Sequence, residues 1–436
     1  MKSKKTLATI AVASLLWPSM PAMAQRPMTV GELFALVESG STALKAQKTG
    51  VEVATHAVSS AKSQRLPDIE AQLSGSYIGN VLMTDRDFTN ARGFSSPHLG
   101  NSFSLQAQQV VYAGGAINTG IRMAELQRRQ AELGVVQTRA DQRFVALGQY
   151  LDLFKIDNAL RVYDQNIALT SRLIDDIKAK QQQGMALKND VTRYELQMET
   201  LLLGKRKLED NRSILNHQLC TTLGIGQQTI LPDTTVARTA LTDEGEQSWQ
   251  TRALASSPML QRSALGTQLA SEQVTMAKSA LLPKLAVVAS ENFSGPFTYD
   301  IPPIDKNFNV WYVGVGLKYS LSSLFKGNKE IRRSKAALQQ STEAHTSTTE
   351  ALDNQVQAAY TLYKQSQVEL HTEQKSVELA RQNYRVMNER YLNQLALVTD
   401  MVDASNMKLG AELREVDARV SIVYAYYKLK YIAGEI

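Results

Sequence analysis

The 436-residue chain has a single cysteine, Cys220. One thiol excludes an intrachain disulfide, and its distance from the N-terminus excludes an N-terminal lipid anchor. It suits packing as a small apolar side chain near a helix end. Proline is scarce in a patterned way: of 11 prolines, none lies between Pro97 and Pro232 and none follows Pro303. Beyond the N-terminal segment no run of about 20 apolar residues occurs, which excludes a membrane-spanning helix there. Neither sign of charge dominates. The net charge is +6, with basic and acidic residues interspersed, which describes a solvated helical surface and not a nucleic-acid patch. The five histidines, His56, His98, His217, His345 and His371, lie in unlike segments. His217 and Cys220 share a helix face but supply two ligands where a structural zinc takes four. No Walker loop, nucleophile elbow or HExxH sequence occurs. These absences argue against an enzyme, and no catalytic residue, cofactor or structural metal is expected.

What is present is first an address. Lys2, Lys4 and Lys5 precede an apolar run from Leu7 to Trp17, and Ala22-Met23-Ala24 forms a small-x-small cleavage site. Residues 1–24 are expected to be a signal peptide, with the mature chain starting near Gln25. Hydrophobic content of 43% and charged content of 21% fit a folded chain.

The mature chain is duplicated. Asn118/Asn328, Ile121/Ile331, Arg122/Arg332, Tyr150/Tyr360, Ala186/Ala396, Leu187/Leu397, Asp190/Asp400 and Gly224/Gly434 are each separated by 210. Earlier in the chain the separation is 216, as in Ser41/Ser257, Leu44/Leu260, Ala61/Ala277 and Pro67/Pro283. The first repeat is expected over 25–224, a linker or equatorial segment over 225–242 and the second repeat over 243–436. The change from 216 to 210 places a tolerant loop between Pro67 and Asn118.

After each Leu-Pro the hydrophobic period changes from helix to strand. Ile69, Ala71, Leu73, Gly75 and Tyr77 alternate with polar residues, as do Phe103, Leu105 and Ala107. In the second copy Leu285, Val287, Ala289 and Phe293 share one parity, and so do Trp311, Val313, Val315, Leu317, Tyr319 and Leu321. Strands are expected at about 66–79, 101–113, 282–293 and 309–322, the length that crosses a bilayer when tilted. Polar loops, Asn80 to Gly100 and Gly295 to Asn307, join them in pairs. Four strands cannot close a barrel, and open edges are not viable in lipid. Membrane strands here would require several chains sharing one barrel.

Long helices are expected over about 116–183 and 328–393, with returning helices over about 189–223 and 399–433, because the proline-free tracts leave the hydrogen-bond ladder unbroken. Leu153, Ile156, Leu160, Tyr163, Ile167, Thr170, Ile174 and Ile177 follow alternating spacings of three and four, a coiled-coil seam. Val356, Tyr363, Leu370, Val377, Tyr384 and Tyr391 recur every seven residues. Gly120, Gly134 and Gly148 recur every 14 residues on one face, consistent with close packing or with chance.

The helical turnarounds are Gln183-Gly184-Met185-Ala186-Leu187-Lys188-Asn189-Asp190 and Asn393-Gln394-Leu395-Ala396-Leu397-Val398-Thr399-Asp400. In their order and spacing, the duplication, the twin strand hairpins and these turns resemble the TolC family of outer-membrane channel proteins over about Thr29 to Ile436. The resemblance implies a mixed α and β membrane protein working as a homotrimer. Three protomers would share a 12-stranded β-barrel in outer-membrane lipid, with a helical barrel reaching about 100 Å into the periplasm. It implies the passive exit duct of a tripartite efflux or type I secretion system, with an inner-membrane transporter as partner. A periplasmic adaptor would dock at the tips, on Gly184, Met185, Ala186 and Leu187 and on Leu395, Ala396 and Leu397. The first tip is similar to the family's glycine-containing motif; the second departs from it at Gln394. Asp400 and Asp403 match paired aspartates that ring the family's narrow entrance, where three chains would present six carboxylates. By spacing alone they read first as ordinary first-turn acids at a helix N-terminus, and it is the resemblance that turns the reading to the ring. Asp190 and Tyr391 match an entrance-closing network whose arginine is replaced here by Ala396, with Arg193, Arg390 or Lys188 as substitutes. No nucleic-acid partner is implied. The alternative is a soluble periplasmic coiled-coil scaffold. It explains the heptads but not the four alternating strands, nor Tyr77, Phe103, Phe293 and Trp311 near strand ends, which fit an interface girdle.

Overall fold

The computed structural model describes residues 27–235, 244–298, 300, 303–393 and 395–436. The expected signal segment 1–24 lies outside them. The first copy runs α1 (Val30–Gly40), α2 (Thr42–Ser63), β1 (Asp68–Tyr77), β2 (Val81–Met83), β3 (Arg92–Phe94), β4 (Leu99–Tyr112), α3 (Ala116–Gln182) and α4 (Lys188–Leu223). The second runs α5 (Glu246–Ser256), α6 (Pro258–Ser279), β5 (Lys284–Gly295), β6 (Phe308–Lys318), α7 (Ser323–Leu392) and α8 (Val398–Ile432). The hairpin of β2 and β3 sits inside the first interstrand loop. In the second copy the corresponding loop carries a single antiparallel bridge, Phe297 to Ile304, and alternation is unreadable in pairings this short. Local chemistry starts the helices. Thr29 and Glu32 form a reciprocal capping box on α1, and Ser41 and Ser257 cap α2 and α6 at equivalent positions.

The helices form four columns. α2 and α4 both pack on α3, above and below; α6 and α8 pack between α3 and α7. The sheet repeats this order as β1-β4-β5-β6, all antiparallel. Each strand therefore continues the column to which it is joined. α3 and α7 contain 67 and 70 residues, close to 100 Å each at ~1.5 Å per residue. No described helix is long and apolar enough to cross a membrane.

Register places Leu73, Phe103 and Phe293 in one row across the sheet, Ala71, Leu105, Glu291 and Trp311 in the next, and Ile69, Ala107, Ala289 and Val313 in a third. One face is thus apolar. The other carries Glu70, Gln72, Ser104, Gln106, Ser290, Asn292 and the glycines of β6. Polar residues interrupt the apolar face at Asn101, Gln109, Glu291 and Asn309, and Glu291 Oε1 accepts a hydrogen bond from Asn309 Nδ2 at 3.2 Å.

The heptad positions of α7 are inward. Val356, Tyr363, Val377 and Tyr391 are buried, and Leu370 and Tyr384 half-buried. Along α3 the expected seam is buried at its ends, at Leu153, Thr170, Ile174 and Ile177. In between, Ile156, Leu160, Tyr163 and Ile167 are half-buried while Ala159 and Asn166 turn inward. A helix of 3.6 residues per turn drifts by about 20° per heptad, so the inward face rotates along a helix this long. Gly120, Gly134 and Gly148 face Met276, Gln47 and Tyr424, side chains of three different neighbouring helices.

The main core is a waist where both long helices meet α1, α5 and the ends of α4 and α8, around Tyr150, Trp249, Leu219, Tyr363 and Tyr426. Cys220 is buried there. The Tyr150 hydroxyl donates to Met28 O at 2.6 Å and accepts from Asp233 N at 2.8 Å. It thereby ties down the bridge between Met28 and Pro232. Glu38 at the end of α1 accepts two hydrogen bonds from Arg139 on α3, at 2.7 and 3.2 Å, and one from Lys48 on α2 at 3.0 Å. These bonds, Arg139 first, hold its carboxyl at about 2, below the usual carboxylate range. Gly40 and Gly224 lie back to back: a Cβ on Gly40 would stand 1.8 Å from Leu223 O. The repeat reproduces the contact at Gly434, where a Cβ would stand 2.9 Å from Ser256 O.

Two predictions follow from the waist. Gly40→Ala is expected to destabilise by ~1–3 kcal/mol through overpacking against backbone that cannot rotate away. Gly50→Ala, with nothing within 4 Å of its Cβ, is expected to be neutral or stabilising by up to ~1 kcal/mol. Thermal unfolding followed by circular dichroism compares the two. Because the Glu38 pKa is depressed on folding, its contribution is complete above the ordinary value of 4.5 and is lost as pH falls towards about 2. Glu38→Gln is expected to flatten the stability profile over that interval, measured as denaturation midpoint against pH.

Candidate functional site at the helical tips

The end of the molecule opposite the sheet is built from two turns of the same design. α3 stops because Gly184 takes a left-handed conformation, φ +76°, which lets Met185 N reach Lys180 O at 2.9 Å and Gly184 N reach Gln181 O at 2.9 Å. This is the bonding of a glycine-terminated helix. Asp190 Oδ2 then accepts from Leu187 N at 3.0 Å and starts α4. In the second tip Leu395 N reaches Arg390 O at 2.8 Å, and Asp400 Oδ2 accepts from Leu397 N at 3.1 Å. Position 394, where the sequence departs from the glycine motif, lies outside the described residues.

Each turn presents large apolar side chains to solvent. Met185, Leu187, Leu395 and Leu397 are exposed, the last at 69%. Ala186 and Ala396 are half-buried and pack inward, on a small core of Leu173, Ile174 and Ile177 from α3, Val191 and Tyr194 from α4, Tyr391 from α7, and Val398 and Met401 from α8. All four columns of the lower molecule are therefore held together at the tips.

Three phenols sit in or against this core. Burial pushes Tyr384 up to about 12. It raises Tyr194 as well, with Tyr391, Tyr384 and Asp190 adding to the effect. Tyr391 is raised by burial and then by the nearby charges of Asp190 and Asp176. Asp190 and Tyr391 are thus close enough to feel each other, but the Asp190 carboxylate is committed to capping its own helix. The cation at Tyr391 is Lys180, whose Nζ lies 4.9 Å from the ring centroid. Sequence reasoning named Arg193, Arg390 and Lys188 and passed over Lys180. The repeat held the signal, since Lys180 lies 210 residues before Arg390. Asp400 and Asp403, three residues apart near the start of α8, are both exposed and share one helix face. Asp400 also caps α8, so the capping and ring readings are compatible for that residue. Asp403 makes no capping bond among the described residues. No group of three or more His, Cys, Asp or Glu that could hold a metal ion occurs among them.

Residues 249–435 match the outer membrane efflux protein family. No curated protein sequence matches the chain. Among solved structures, the chain is similar to the outer membrane protein VceC from Vibrio cholerae, with TM-score 0.77 and 13% identity over 93% of this chain and 96% of that one. It is similar to the Campylobacter jejuni CmeC outer membrane channel, with TM-score 0.75 and 14% identity over 93% and 85%. It is also similar to the open state of the Neisseria gonorrhoeae MtrE outer membrane channel, with TM-score 0.74 and 13% identity over 93% and 88%. At these identities the structures establish a shared fold over most of the chain. Residues 249–435 are thus similar to the outer membrane efflux proteins, and the chain as a whole shares the fold of these outer-membrane channels.

Proposed function

We propose that this chain is the outer-membrane exit duct of a tripartite efflux or type I secretion system, acting as a homotrimer. Its sheet lies in outer-membrane lipid and its helices reach through the periplasm. One observation carries the reading: the chain is unfinished on both flanks, and the flanks are different. β1, α2 and α4 border one side; β6 and α7 border the other. Leu196, Leu203 and Ile214 are exposed on α4, and Leu362, Leu379 and Val386 on α7. Unlike flanks that each need a partner pair head to tail, and a head-to-tail arrangement of identical chains forms a ring where its rotation closes and a filament where it does not. Three chains of four strands make a 12-stranded barrel, within the range of membrane barrels. Trp311, Val313, Val315 and Leu317 are each at least 66% exposed on the apolar face, which suits lipid and disfavours the soluble scaffold.

Within such a ring the polar face lines a lumen and the tips converge on its periplasmic mouth. Asp400 and Asp403 then form the entrance ring, Asp190 and Tyr391 with Lys180 brace it, and the exposed tip leucines receive a periplasmic adaptor. Transport is passive, and the inner-membrane transporter supplies the energy.

Detergent-solubilised protein from the outer-membrane fraction is expected to have the protein mass of three chains and to resist dilution; a monomer in the soluble periplasmic fraction would refute the duct. In planar bilayers, Asp400→Ala with Asp403→Ala is expected to raise the half-blocking concentration of a polyvalent cation by about tenfold or more, with assembly unchanged. An unaltered block would remove these residues from the entrance.

A further inference from the structure

At the junction of sheet and helices a cavity of about 760 Å³ opens on the polar face. Lys284 of β5, Lys318 of β6 and Lys326 in the first turns of α7 line it. Lys284 and Lys318 are direct cross-strand partners, a placement in which like charges repel and weaken the sheet. All three lysines are exposed, and among the described residues none has a salt-bridge partner. The one carboxylate lining the cavity, Glu330, is engaged by Arg333, which donates to it at 2.6, 3.0 and 3.1 Å. Within the protomer Asp68 and Glu70 share the polar face on β1, two strands from β5; in the ring the β1 edge of the next chain borders β6. Hydroxyls complete the site: Ser320, Ser322 and Ser323 line the same cavity, with Val110 and Val288 as its apolar wall.

Two like charges paired across a ladder, with a third at the same concave wall, concentrate positive potential at one place. We infer that this cluster is an oxyanion-binding site, taking phosphate, sulfate or the anionic group of a passing solute. The inference rests on the duct reading, in which the polar face lines the lumen. The ring then carries nine ammonium groups at the inner end of its barrel, far from the carboxylates of the tips. Rings of lysine select anions in pores as rings of carboxylate select cations.

The test is bilayer conductance of the full-length assembled protein, with inorganic phosphate as the first probe. Phosphate is expected to lower wild-type conductance. In the variant Lys284→Gln, Lys318→Gln, Lys326→Gln its half-blocking concentration is expected to rise about tenfold or more, with block by polyvalent cations at the other end unchanged. The variant relieves repulsion, and its trimeric mass checks its folding. Phenyl phosphate is the second probe. A lower half-blocking concentration than phosphate assigns the site to anionic cargo with an apolar body, and an equal one to free oxyanions. A channel that conducts but ignores phosphate, or a variant that responds as wild type does, overturns the site and leaves the duct standing. An assembled particle that conducts nothing overturns the duct and the site together.

Discussion

A sheet cannot lie in hydrocarbon with unpaired edges, because each bare N–H and C=O there costs several kcal/mol with no water to satisfy it. β1 and β6 are the two unpaired edges of this chain's main sheet, and the face between them is apolar. The rest of the molecule is arranged to make closure by further copies feasible. The columns of helices stand in the same order as the strands, so a partner that pairs with the edge of β6 also lies along α7. A partner on the edge of β1 lies along α2 and α4. One lateral interface therefore serves sheet, waist and tips, and the exposed apolar residues of α4 and α7 lie along it.

Duplication supplies that order. Each copy contributes a hairpin, a short helical pair and a long helical pair, and the copies meet around the waist. The contact of Gly40 with Leu223 and its echo between Ser256 and Gly434 fix where α1 and α5 touch the ends of α4 and α8. Neither contact leaves room for a side chain on the glycine. The heights of the strands above the waist and of the tips below it are therefore set by backbone touching backbone. This explains why the two copies keep one register from Asn118/Asn328 to Gly224/Gly434 with no insertion.

Much of this was legible because the signals are long. Two proline-free tracts and a seven-residue period announced α3 and α7, and alternation over ten or more residues announced the four strands. The short hairpin of β2 and β3 left no such trace. The middle of α3 was misplaced because a strict heptad was extended along a helix that touches a different neighbour on each side. There Asn166, a polar residue, is buried, and Leu160 is only half-buried. At the tips the turns were readable from Gly184 and the capping aspartates, since their chemistry is local. Lys180 was signalled only by its match to Arg390 across the repeat, because its contact with Tyr391 joins residues far apart in sequence and depends on how α3 and α7 are brought together. The lysine cluster depended on register: only the ladder of β5 and β6 shows Lys284 and Lys318 side by side.

The copies differ most where their surroundings differ. Glu412 on α8 is 4% exposed and bonded to Arg381 at 2.9 Å and to Asn166 at 3.3 Å. Its counterpart on α4, 210 residues earlier, is Leu202, which is 42% exposed. Hydrophobic transfer alone would favour the opposite arrangement. Position in the layer resolves the inversion. α8 is enclosed within the chain, between α3 and α7, so a carboxylate there must find its partners in the same protomer. A slide of α8 along α3 would strand that charge without them, which costs far more than shifting an apolar contact. α4 packs mainly on α3 at the edge of the chain, and Leu202 is left exposed on its open flank. The second helical hairpin is thus locked in register from within, and the first keeps an apolar flank open.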